Sequence, residues 1–140
     1  MAAPLWPWLL LFFAQSQNTE PIKTNLCEII AHPETFDRKL VELHAQAEAG
    51  ADDLPDGVTD DKCGAELKFT TLDDAHLDQL VKSKPFRKLV KDVKWHPMVE
   101  ATFIGWFHRA SAEKKTEAGL ALEAVADVAV KHLPKPPRDQ

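Results

Sequence analysis

Tyrosine is absent from this 140-residue chain, serine occurs only at Ser16, Ser83 and Ser111, and there are five glycines and two cysteines. So few serines leave little material for a hydrolase nucleophile, and none lies in a G-x-S-x-G turn; H-E-x-x-H, Walker and G-x-G-x-x-G patterns are missing too. No apolar run approaches the roughly 20 residues that a membrane-spanning helix needs. A basic excess is also lacking: 17 Lys and Arg stand against 22 Asp and Glu, a formal charge of -5 that gives no general pull toward phosphate backbones or anionic lipid. With 44% hydrophobic and 28% charged residues, the chain is neither disordered nor collagen-like, and its length suits one domain able to bury a core.

The first 16 residues, MAAPLWPWLLLFFAQS, carry no charged side chain and hold an unbroken apolar run from Trp8 through Ala14. That length fits the core of a secretory signal peptide, with Ala14 and Ser16 as the small residues before a cut near Gln17. The usual basic opening residue is missing, and the competing reading is an apolar N-terminal strand or arm. The expected division is therefore a signal peptide over 1–16, a domain over 17–133 and a Pro-rich tail over 134–140, in a periplasmic or secreted protein.

Cys27 and Cys63 both fall in the mature part. An even count in an exported chain favours a disulfide, and their spacing matches neither a C-x-x-C redox motif nor a zinc site. On the chain-entropy model, closing a loop of about 37 residues stabilises the fold by about 3–4 kcal/mol.

Hydrophobic periods divide the remainder. Ile22, Leu26, Ile29 and Ile30 lie at helical spacing behind a cap at Thr24 or Asn25, predicting a short helix over 22–31. Val41, Leu43, Ala45, Ala47 and Ala49 alternate with Glu42, His44, Gln46 and Glu48, as in a strand. Residues 52–61 contain five Asp with Pro55 and Gly57, which predicts an acidic hairpin loop; an EF-hand fails there because Leu54 and Cys63 occupy ligand positions. A second strand is expected over 65–70. Asp73 or Thr71 then caps a helix broken at Pro85, whose polar face is basic through Lys82, Lys84, Arg87, Lys88, Lys91 and Lys94. That face suits an acidic partner or a membrane surface, although a solvated helix side is the simpler reading. Residues 98–109 and 120–130 alternate again as a hairpin, with Gly105 marking a bulge or bend.

This order predicts a mainly β, α+β domain: a five-stranded OB-like barrel with an N-terminal helix, a helix between strands 3 and 4, and residues 54–63 supplying one weak strand. The stretch NLCEIIAHPETFDRKLVELHAQAEAG resembles the opening of small exported bacterial proteins in which L-C-x-[IV]-[IV]-x-x-P-x-x-[FY]-x-x-K-x-V precedes an OB-type barrel. DDKCG and VEATFIGWF extend the resemblance over about residues 22–131. It implies the fold, export and the Cys27–Cys63 pair rather than an activity, and this chain departs from it in having Arg38-Lys39 where Gly-Lys is commoner.

The six histidines show no metal-ligand spacing, so no metal and no cofactor is expected. His44 and His108 sit on outward strand faces and would approach each other if those strands pair; with Trp106 they form the candidate binding face. The sequence therefore points to an exported, non-catalytic binding module for a small ligand, glycan or protein. The alternatives are a small enzyme with a dispersed acidic and histidine site and, more weakly, an oligonucleotide-binding domain. Neither ligand nor oligomeric state is readable.

Overall fold

The computed structural model describes residues 19–70 and 73–131; the expected signal peptide and Pro-rich tail lie outside them. Its elements are β1 (Ile22–Thr24), α1 (Leu26–Ala31), α2 (Pro33–Phe36), β2 (Lys39–Ala49), β3 (Pro55–Asp60), β4 (Ala65–Thr70), α3 (Asp74–Lys82), α4 (Lys84–Trp95), β5 (Val99–His108) and β6 (Gly119–Val130).

Five strands close on themselves. β2, β3 and β4 run as an antiparallel meander, β4 pairs parallel with β6, β6 antiparallel with β5, and β5 antiparallel with β2. Closure leaves the barrel strands without free edges. The result is the expected mainly β barrel, with α1 before it and α3–α4 crossing between its third and fourth strands.

The helix expected over 22–31 is shorter than its apolar spacing suggested. Ile22–Thr24 instead forms a sixth strand, parallel to Val41–Leu43. The helix begins after Asn25, whose side-chain oxygen accepts a hydrogen bond from the Glu28 amide at 2.9 Å and satisfies one of the free first-turn donors. In the acidic segment residues 50–54 turn, and the weak strand expected over 54–63 is present as Pro55–Asp60, a full strand paired with both β2 and β4 in place of a hairpin loop, with Val58 buried. Its Pro and Asp are accommodated at the ends, and its register shift lies between Glu48 and Ala49 of the partner strand.

Phe103 and Phe107 of β5, Val41 and Leu43 of β2, Leu67 of β4 and Leu120 of β6 fill the barrel. Each large apolar side chain so buried contributes on the order of 1.5–3 kcal/mol before entropy is counted. Leu26 and Ile29 of α1 and Leu80, Leu89 and Val93 of α3 and α4 join the same core. Asp73 caps α3 by accepting from the His76 amide at 2.8 Å, and the helix breaks at Ser83 so that Pro85 falls in the first turn of α4, where its missing N–H costs nothing.

β5 alternates as expected throughout. β6 does not, because its pairing with β5 shifts opposite Ile104/Gly105 and again opposite Glu100/Thr102. Val125, expected outside, is therefore buried, and Asp127 takes a left-handed conformation. Gly105 sits at the first shift, where a Cβ would lie 2.6 Å from the Ala121 carbonyl oxygen; close backbone approach, not positive φ, explains the glycine.

Cys27 and Cys63 are joined, with their Cα atoms 5.9 Å apart, tying α1 to the β3–β4 turn. The bridge fits an oxidising, extracytoplasmic compartment. Among the described residues, no helix is long and apolar enough to cross a membrane.

Candidate functional site

β2 and β5 do pair, yet their register keeps the two expected histidines apart. His44 stands opposite Thr102, and Trp106 opposite Leu40. His108 lies six positions further along β5 than Thr102, about 20 Å at the usual rise. Of the face proposed from sequence, Trp106 and His108 remain neighbours two residues apart on the outward side of β5, whereas His44 lies elsewhere.

Around His44 the polar groups satisfy one another. Its Nε2 lies 3.3 Å from Glu100 Oε2 and its Nδ1 3.3 Å from Thr102 Oγ1, while the Thr102 hydroxyl donates to Asp127 at 3.2 Å. Lys131 reaches the other Glu100 oxygen at 2.7 Å. That hydrogen bond, with a lesser one from His44, holds the Glu100 carboxyl below the usual range. Trp106 is half-buried and its indole N–H donates to Glu123 at 3.1 Å. Glu123 adds to the field on His76, whose pKa is raised mainly by its hydrogen bond to Asp73.

His108 is set differently. It ends β5 opposite Gly119, and because Gly119 has no side chain the ring reaches across it, placing Nε2 3.2 Å from the Thr70 hydroxyl; a Cβ on Gly119 would lie 2.7 Å from that nitrogen. Beyond it opens a cleft of about 600 Å³, walled by Asp37 and Arg38 before β2 and by residues 108–114 and Thr116 of the β5–β6 loop. That volume lies in the range of small-molecule sites.

The cleft is held by backbone. Ser111 and Thr116 exchange both amide hydrogen bonds, at 2.9 and 3.0 Å, and the Ser111 hydroxyl accepts from the Lys114 amide at 3.3 Å. Asp37 accepts from the Arg109 amide at 3.0 Å and lies 3.5 Å from Arg109 Nε, joining the two walls. Arg38 donates its amide to the Phe107 carbonyl at 2.8 Å with φ of 62°, a left-handed conformation that strains an L-residue and favours glycine. Among the described residues, Arg38 and Lys114 take part in no ion pair. With Arg109 they put three cations against Asp37 and Glu113.

Two other places offer less chemistry. Cys27, Asp60 and Cys63 bring potential metal-ligand atoms within 4.8 Å of one another, but both sulfurs are occupied in the disulfide. A smaller, mostly apolar cavity of about 140 Å³ lies between Phe69, Leu122 and the helix residues Leu77, Leu80 and Phe86.

Sequence reasoning reached His108 but missed Asp37, Arg38, Arg109 and Lys114. The available signal was Arg38 itself, a bulky charged residue just before a strand where the resemblance led one to expect glycine. Comparison with protein-family models, curated proteins and solved structures gives no match.

Proposed function

We propose that the chain is an exported, non-catalytic binding module built on an OB-type barrel, related to the small exported bacterial proteins that its sequence resembles, and that it takes a small anionic ligand in the cleft beside His108. The strand order and the helix between the third and fourth strands support the OB reading, in which loops beside the barrel face bind ligands. The disulfide supports export.

The observation that carries the ligand class is Arg38. Holding an arginine at φ of 62° costs on the order of 1 kcal/mol relative to glycine, yet Arg38 lines the cleft and joins no ion pair among the described residues. Guanidinium groups match planar or tetrahedral oxyanions through paired N–H donors, and Arg109, Ser111, Lys114 and Thr116 line the other wall of the same cleft. An oligonucleotide is less well served: the outer side of β3 and β4 presents Asp56 and Glu66 beside Lys68, whose ammonium is already engaged by Asp56 at 3.4 Å and Glu48 at 3.5 Å.

The test is an NMR titration with inorganic phosphate and, separately, citrate, following the His108 ring and the arginine side-chain N–H signals. Saturable shifts confined to residues 37–38 and 108–116, weakened at least tenfold by Arg38→Gly, are expected. Shifts scattered over the surface, or unchanged by Arg38→Gly, would overturn the site.

A further inference from the structure

The outer face of α4 is unlike the rest of the molecule. Leu89 and Val93 are buried against the barrel and Phe86 packs beside them, so the opposite side of the helix faces solvent along its whole length. On that side Lys84, Arg87, Lys88, Lys91 and Trp95 follow one another at i, i+3, i+4, i+7 and i+11, with Lys94 adjoining. Lys88 pairs with Asp92, whereas Lys84, Arg87, Lys91 and Lys94 join no ion pair among the described residues. These five cations stand on a chain whose formal charge is -5, so the remainder is strongly acidic.

Trp95 closes the stripe and is 70% exposed, more than any other large hydrophobic side chain among the described residues. Lys94 Nζ lies 5.5 Å from its ring centroid. An indole left in solvent at the end of a cationic row forgoes burial worth several times the thermal energy, and indoles concentrate where an apolar phase meets a polar one.

We propose that the α4 stripe docks the protein on a membrane surface rich in anionic phospholipid, with Trp95 entering the headgroup layer. The stripe lies on a convex helix side about 17 Å long at 1.5 Å per residue, which presents its cations together to a plane rather than enclosing a ligand. The acidic remainder is repelled by the same surface, so the charge asymmetry also sets orientation. Trp95 precedes β5 and the anion cleft lies at that strand's far end, about 33 Å along ten residues, so the two sites share no residue.

Flotation with vesicles tests this, comparing phosphatidylcholine alone with mixtures rich in phosphatidylglycerol. The protein is expected to float only with the anionic vesicles and to be released at about 1 M salt, where the Debye length is about 3 Å. Each cation near such a surface strengthens partition about fivefold, so the Arg87→Gln, Lys91→Gln, Lys94→Gln triple variant should lose on the order of a hundredfold. A control triple off the stripe, Lys23→Gln, Lys39→Gln, Lys62→Gln, should lose less than a tenth of that, with circular dichroism confirming that both remain folded. Trp95→Ala should weaken partition further. Equal flotation with both vesicle types, equal loss in the two triples, or capture by polyglutamate without capture by anionic vesicles would overturn the proposal, the last in favour of an acidic protein partner.

Discussion

The wall formed by β2, β5 and β6 and the cleft at the end of that wall hold similar side chains in opposite states. On the wall, His44, Glu100, Thr102, Asp127, Lys131, Trp106 and Glu123 all meet a partner within 3.3 Å. In the cleft, Arg38 and Lys114 line a concavity and have no ion-pair partner among the described residues, and Arg38 does so on strained backbone. Satisfied surface groups contribute little beyond orienting their strands, because exposed pairs are screened by water. Unpaired charge held at a fixed place by strained backbone is the more informative sign of binding. The contrast separates polar groups that serve the framework from polar groups left available for chemistry.

Removing the disulfide should test that separation most severely. Cys27→Ala, Cys63→Ala frees α1 from the β3–β4 turn and should cost about 3–4 kcal/mol in denaturant unfolding. Phosphate affinity of the folded fraction should not change, since neither cysteine borders the cleft. A parallel fall in affinity would show that the whole barrel and the cleft are one cooperative unit.

Gly105→Val strikes the wall itself. A Cβ would stand 2.6 Å from the Ala121 carbonyl and 3.1 Å from the Leu120 side chain, so β5 or β6 has to move. A loss of about 2–3 kcal/mol in the denaturant midpoint is expected, outweighing the strand propensity of valine. Gly105→Ala carries the same Cβ and should lose most of that amount; a Val variant as stable as the parent would mean that the shifted pairing at Gly105 relaxes without cost.

Legibility in the sequence followed the strength of local patterns. β2, β4 and β5 show period two, Asn25 and Asp73 mark helix starts, and Pro85 marks the break, so barrel and helices were readable. β1 has three residues, too few for any period. β3 has turn composition, so only a weak strand over 54–63 was legible, and pairing with β2 and β4 on either side makes it a full one. In β6 two pairing shifts reverse the phase, which no alternation can foretell. The histidine pair failed because sequence gives the faces of strands but not their register. The cleft depends on residues 37–38 meeting residues 108–116, a contact made by barrel closure rather than by local sequence.

Arg38→Gly is the sharper probe of the contrast, because its two effects have opposite signs. Relief of the left-handed strain should raise stability by about 1 kcal/mol while anion binding weakens. A variant that loses both stability and binding would place Arg38 in the framework instead.

The smallest expected effect lies at the start of α3, beside the wall. His76 Nδ1 is 2.8 Å from Asp73 Oδ1, and that bond, with the charge behind it and a smaller contribution from Glu123, raises the histidine pKa. A histidine raised in the folded state contributes stability that is complete below its unfolded value of about 6.5 and fades as pH rises through the folded value. Both side chains are about half exposed or more, so the effect on stability is slight and the titration itself is the better measurement. Asp73→Asn keeps a side-chain oxygen to cap the His76 amide but removes the charge. The His76 ring should then titrate at a lower pH by NMR while the helix signals stay in place. If the midpoint does not move, the Asp73 carboxylate is exchanging with water rather than holding the ring.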